Sequence, residues 1–311
     1  MVEGYNMTQI RVWWQACRPF SLTVSILPPM LGAITAKIEN PGMALNWLFF
    51  VLTFIGCVFS HAAANMLSDY FDFNKRVDRN GTYGSSGVLT GRLMPPRQLL
   101  IGAIVTYVIA AVIAVYFIIV IPHREVLVGL IALGALLGIF YTANPFSFKY
   151  NALGDLAIFI SFGPAMTLGA YFVQTQHFSW VPVLYAIPVG FLVDAVLHGN
   201  NMRDVMNDKV VNIKTLAMVL GDKNARGMYY GLIFGAYIAI VALIAFDGVP
   251  VISLITFLSL PLAFKLAKTV KHRITVPEKD FVMIDAATAQ LHSAFGFLFL
   301  VSLLLQHFLI R

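Results

Sequence analysis

Two stretches decide the fold: LTFIGCVFSHAAANMLSDYFD at residues 52–72 and IPVGFLVDAVLHGNNMRDVMND at residues 187–208. Each is an apolar run closed by acids, with Asn65, Asp69 and Asp72 ending the first and Asn200, Asp204 and Asp208 ending the second. Asn and the first Asp are four apart in both copies, and the copies stand 135 residues apart. On a helix turning about 100° per residue, the first trio falls within an arc of about 60° and the second within about 80°. Each trio is therefore one polar face. Carboxylates grouped this way repel unless cations neutralise them, and hard oxygen donors suit Mg²⁺, which takes one or two carboxylates together with phosphate oxygens. The pattern predicts two half-sites facing each other across one diphosphate. Asp69, Asp72, Asp204 and Asp208 are the expected Mg²⁺ ligands, with Asn65 and Asn200 on the substrate.

Outward from these stretches, the chain has 311 residues, 59% hydrophobic and only 12% charged, with a mean hydropathy of +0.79. A soluble domain carries roughly 25% charged residues, so this is a polytopic membrane protein. Runs able to span, at about 17–25 residues each, fall near 19–38, 46–68, 97–120, 126–143, 153–174, 180–200, 227–246, 249–268 and 284–308. The expectation is an all-α protein of about nine transmembrane helices. The motif offset divides it into pseudo-repeated four-helix halves, roughly 10–143 and 153–270, with the last helix appended, in one domain over 1–311. Of the 21 Lys and Arg residues, only Lys37, Arg124 and Arg311 fall on the side away from the Asp motifs. That bias predicts a cytoplasmic N-terminus and cytoplasmic motifs in a cell (inner) membrane. It also accounts for the net charge of +6 through anionic membrane lipids and an anionic substrate, with no nucleic acid. No cleavable signal is expected at the N-terminus. Cys17 and Cys57 read as separate buried thiols.

The segment 73–97 holds Gly81, Gly84, Ser85, Ser86, Gly87 and Gly91 ahead of Pro95-Pro96, and reads either as a lid over a phosphate or as a flexible connector. Cations available to a diphosphate are Arg18, Lys75, Arg76, Arg92, Lys149, Arg203, Lys209 and Lys214. Lys149 stands out as the one cation of the short 144–152 connection that follows Tyr141. Asp194 lies ten residues before Asp204, about 15 Å deeper at 1.5 Å per residue, with His198 one turn above it. An acid at that depth is expected to be a base or to orient the acceptor.

At these motifs the chain resembles the UbiA superfamily of intramembrane prenyltransferases, in particular the menaquinone branch. The resemblance is carried by Asn65 to Asp72 with Asp78 after it, by Asp194 to Asp208 continuing to Lys214-Thr-Leu-Ala217, and by Arg18-Pro19 and Gly154-Asp155-Leu156. The Asn200-Asn201-Met-Arg203-Asp204 element is its branch-specific part, and Ser68 stands where many members have Asn. The resemblance implies nine helices around a central cavity, Mg²⁺ at both motifs, a polyprenyl diphosphate donor and 1,4-dihydroxy-2-naphthoate as acceptor. Asp194 and Lys149 would be catalytic, and Asn65, Asn200, Arg18, Arg76, Arg92, Tyr141, Arg203 and Lys214 would bind substrate. Two other readings stand beside it. One keeps the family and exchanges the acceptor for 4-hydroxybenzoate, haem, a chlorophyll precursor or a glycerol-phosphate lipid. The other is a cation-coupled transporter, whose acids should cluster nearer the bilayer centre.

Overall fold

The computed structural model describes residues 8–79, 81–211, 213–246, 248–272 and 281–309. Arg273, Lys279 and Arg311, which entered the charge asymmetry, lie outside them. Among the described residues, a short α1 (Gln9–Ala16) precedes nine helical rods. These are α2 (Thr23–Glu39), α3 (Trp47–Asn74), α4 (Pro96–Val120) and α5 (Glu125–Ile139), then α6 (Gly154–Thr175), α7 (Val181–Val210), α8 (Leu216–Ala245), α9 (Val251–Lys271) and α10 (Ile284–Leu309). Seven of them are long and apolar enough to cross a membrane, α5 is a shorter apolar helix of 15 residues, and α2 has 17. Among the described residues, extended pairing is limited to one bridge, Asn151 with Lys214.

The breaks between rods follow local chemistry. Arg18 has φ +53° and Pro19 follows it, so α1 cannot run on into α2. This splits the single span expected at 19–38 from a separate leading helix. Within α6, Pro164 lacks the N–H that an α-helix needs, and Ser161–Ala165 relaxes into a π-turn. The first half of α9, Val251–Ser259, is wound as a 3-10 helix. Both motif helices run past their expected ends, α3 to Asn74 and α7 to Val210. Every motif residue consequently sits on continuous helix.

Two apolar clusters hold the motif helices in place. The larger joins α2, α6, α7, α8, α9 and α10 around Leu31, Leu192, Tyr229, Ile233, Phe295 and Phe299. The second packs Val12 and Ala16 of α1, Met66 of α3 and Leu99 and Ala103 of α4 around Val88, Leu89 and Met94. Those last three belong to the Gly/Ser-rich segment, residues 75–95. Its second half is thus anchored in a core.

Candidate active site

Asp69 and Asp72 are buried on the last turns of α3 and Asp204 and Asp208 on the last turns of α7, none of them more than 8% exposed. Solvated helix ends, the plain expectation for acids at the rim of a membrane, do not describe them. A buried carboxylate needs a compensating charge or donor, and three of the four have one. Arg18 forms a close ion pair with Asp69, whose second oxygen accepts the Ser86 amide at 3.0 Å. Lys149 donates to Asp72 at 2.6 Å, Tyr150 donates to its other oxygen at 2.7 Å, and Ser68 adds a bond at 3.0 Å. Arg203 grips Asp204 bidentately, at 3.0 and 2.7 Å, and holds Asp285 of α10 at 2.8 Å.

Asp208 is the exception. No hydrogen bond or ion pair reaches its carboxylate among the described residues, and it interacts through space with Lys149, Asp204 and Asp72. The two motifs therefore do face each other, with Lys149 between them: paired to Asp72, and within electrostatic reach of both Asp204 and Asp208. Burial opposes the Lys149 charge, but its acidic and phenolic neighbours together, Asp72 foremost, outweigh burial and raise the ammonium's pKa. Beside them in the loop, burial and then the Asp72 charge push Asp78 up to about 7.

The Gly/Ser-rich segment closes over this arrangement. Gly84 sits at φ +92° with so little room that a Cβ would meet the Arg203 guanidinium, the Asn200 amide and the Asp204 carboxylate at 3.0–3.1 Å. Two residues on, Ser86 donates its amide to Asp69 while Gln15 of α1 donates to the Ser86 carbonyl at 2.7 Å. Arg79 reaches the Asn207 carbonyl at 3.4 Å, and the Tyr83 ring lies against Arg203. One strap touches both half-sites.

The remaining candidates separate into those brought in and those left out. Asn65 donates to the Cys17 carbonyl and the Ser21 hydroxyl, fixing the approach to α2. Asn200 donates to Asp285 at 3.3 Å. Tyr141 packs beside Lys149 and Gly154. Lys214 enters through its backbone alone, its carbonyl accepting from Ala152 and its amide donating to Tyr150, which ties the Lys149 connection to the end of α7. Arg76 and Arg92 are exposed and make no ion pair among the described residues. Arg203, expected on the diphosphate, is engaged by Asp204 and Asp285. Asp194 is buried with Oδ1 unpartnered. His198, one turn above, turns away from it to Asp155 at 2.7 Å and the Ala225 carbonyl at 3.0 Å.

A model of the UbiA prenyltransferase family matches residues 26–306. The chain belongs to that family. It is 29% identical over 299 residues to the 1,4-dihydroxy-2-naphthoate octaprenyltransferase of Bacillus subtilis, covering 96% of this chain and 94% of that protein. It is 30% identical to the UbiA prenyltransferase domain-containing protein 1 homologue of Drosophila melanogaster, over 96% of this chain and 81% of that one. Among solved structures, a UbiA homologue from Archaeoglobus fulgidus bound to GPP and Mg²⁺ shares the fold, with a TM-score of 0.60 at 16% identity over 93% of this chain and 99% of that chain. The apo UbiA homologue from Aeropyrum pernix K1 does so with a TM-score of 0.64 at 12% identity, over 93% and 98%. The chain is thus a multi-pass membrane prenyltransferase.

The donor set of this prenyltransferase fits Mg²⁺. Among the described residues no three His, Cys, Asp or Glu side chains converge as a ready cage, but Mg²⁺ needs only one or two carboxylates when phosphate oxygens complete its shell. The unpartnered Asp208 carboxylate is an oxygen donor of that kind. Asp285 and Tyr150 had not been picked out from the sequence. Asp285 could have been found as an acid within the last apolar run, and Tyr150 only by its adjacency to Lys149.

Proposed function

We propose that the chain transfers a polyprenyl group from polyprenyl diphosphate to 1,4-dihydroxy-2-naphthoate in menaquinone biosynthesis, with Mg²⁺. The observation that carries this reading is Lys149, which stands among acids of both motifs where a shared anion would lie. The acceptor is supported by the name of the Bacillus subtilis relative and by a similarity that runs almost the full length of both chains.

Asp69, Asp72, Asp204 and Asp208 would hold Mg²⁺, whose charge, once bound, stabilises the electrons gathering on a departing diphosphate. Lys149 and Arg18 exchange a carboxylate oxygen for a diphosphate oxygen, while Arg203 keeps Asp204 aimed. Arg76, Arg92 and Lys214 add positive charge at the entrance, and Asn65, Asn200 and Tyr141 line it. The strap over Asn200 and Asp204 excludes water, so the allylic cation left when the C1–O bond breaks meets the acceptor ring before a hydroxide. The ring C–H carbon takes the cation, Asp194 receives that carbon's proton to restore aromaticity, and the neighbouring carbon that releases the carboxyl group as CO₂ takes up a proton in its place. The cation asymmetry supports an N-terminus and a diphosphate site on the cytoplasmic face of the cell membrane.

The test is mass spectrometry of products from the purified protein given Mg²⁺, geranylgeranyl diphosphate and a panel of acceptors. A decarboxylated prenyl naphthoquinol is expected. Product from 4-hydroxybenzoate or a glycerol-phosphate lipid alone would move the acceptor to that class.

A further inference from the structure

We propose that His61 recognises the hydroxyl group of the acceptor, its Nε2 lone pair receiving the O–H hydrogen. The inference rests on the prenyl-transfer reading above.

His61 lies on α3 one turn before Asn65 and two before Asp69, on the same face, about 12 Å along the axis from Asp69. This sets it deeper than the carboxylates, on the side where a ring attacking C1 of the donor would stand. The residue is 7% exposed, and its ring meets the Phe162 ring of α6 edge-on at 4.7 Å. Phe162 adjoins the crossing of α6 and α7, where a Cβ at Gly163 would come within 3.2 Å of the Gly190 backbone. Asp194 is one turn past Gly190, so His61 and the proposed base flank one crossing.

The hydrogen bonds around Ser25 point to one tautomer. Ser25 donates its one hydroxyl hydrogen to the Leu22 carbonyl at 2.9 Å, and His61 Nδ1 lies 3.1 Å from that hydroxyl. With the Ser25 hydrogen on Leu22, Ser25 accepts from Nδ1, and this arrangement leaves Nε2 as the bare lone pair. That lone pair has no partner among the described residues. Both nitrogens of His292 are likewise buried without a partner, but that ring has no hydrogen-bonded neighbour to orient it. A neutral imidazole oriented by Ser25, offering one acceptor beside an aromatic face, fits a hydroxyarene. Arg18 is the charged group that acts on it, and it would favour an acceptor that also carries a carboxylate.

Two substitutions separate recognition from packing. His61→Asn keeps an amide near the Nδ1 position, where Ser25 is bonded, and loses the acceptor at Nε2. His61→Gln carries an oxygen out to Nε2. Acceptor kcat/KM is measured for both in the full-length purified protein, alongside Mg²⁺-dependent binding of geranylgeranyl thiodiphosphate and transfer to an acceptor whose hydroxyl is O-methylated. The expected result is an acceptor kcat/KM at least about tenfold lower in His61→Asn, carried mainly by KM, with donor binding within about twofold of wild type and most of the loss recovered in His61→Gln. The methyl ether should be disfavoured about tenfold or more by wild type and much less by His61→Asn, because a site built to accept a hydroxyl hydrogen rejects the analogue lacking it. Unchanged acceptor kinetics in His61→Asn, a His61→Gln variant no better than His61→Asn, or donor binding that falls in step with acceptor use would each overturn the assignment. Failure of wild type to prenylate any hydroxyarene is instead failure of the prenyl-transfer reading, and this inference falls with it.

Discussion

Asp72 and Asp208 belong to one acid cluster but answer to different partners, and substitution should expose the difference. Asp72→Asn strips the counter-charge from Lys149 and weakens the bonds from Tyr150 and Ser68, and breaking a buried pair from one side costs about 3–5 kcal/mol. We expect it to lower both the melting temperature in detergent and turnover. Asp208→Asn breaks no pair. It should leave the melting temperature within error of wild type while lowering turnover at least about tenfold, some 1.4 kcal/mol of transition-state stabilisation; a large stability loss there would contradict the unpartnered carboxylate. Asp78 carries a pH signature, because its carboxyl, pushed up to about 7, binds a proton in the folded state that it would release in the unfolded chain at lower pH. The folded protein holds more protons between about pH 4 and pH 7, so stability falls as pH rises through that window and levels above it. Metal-free Asp78→Asn should lack this component in melting curves taken across pH. A slope identical to wild type would place the titration elsewhere.

The 75–95 strap touches both half-sites, and its glycines separate backbone freedom from contact. Gly81 and Gly84 both have positive φ, but a Cβ at Gly81 meets nothing within 4 Å whereas one at Gly84 crowds Arg203, Asn200 and Asp204. Gly84→Ala is therefore expected to cut turnover by about tenfold or more with a minor change in melting temperature, and Gly81→Ala to show only the modest strain of its backbone. Equal effects from the two would mean that the strap does not bear on the site. This element also marks the limit of what the chain discloses before folding. The acids were readable because helical spacing forces Asn65, Asp69 and Asp72 onto one face, and Asn200, Asp204 and Asp208 onto another. The separate α1 was hidden because an eight-residue amphipathic stretch is too short to register as a span, and the split at Arg18 depends on a single left-handed residue. Arg203 could be flagged as a cation beside Asp204, but its engagement by Asp285 joins residues 82 apart, a pairing that no local spacing encodes. The same holds for His198, whose natural partner by spacing was Asp194 and whose actual partner is Asp155 on the neighbouring helix.

At the scale of the whole molecule, α3 and α7 bring distant acids to one place, and the ion pairs of Arg18, Lys149 and Arg203 keep that place assembled before any substrate arrives. Turnover should vanish in EDTA and return with Mg²⁺, since the acids proposed to hold it offer hard oxygens alone; full activity in metal-free buffer would remove the metal from the proposal. The central claim is that both motifs hold one diphosphate, and a double-mutant cycle on binding tests it most directly. Mg²⁺-dependent affinity for geranylgeranyl thiodiphosphate is measured for wild type, Asp72→Asn, Asp208→Asn and the double variant. The account predicts that either single change weakens binding at least about tenfold and that the double variant loses markedly less than the product of the two. Losses that multiply independently, or a motif whose change leaves affinity untouched, would contradict a shared site.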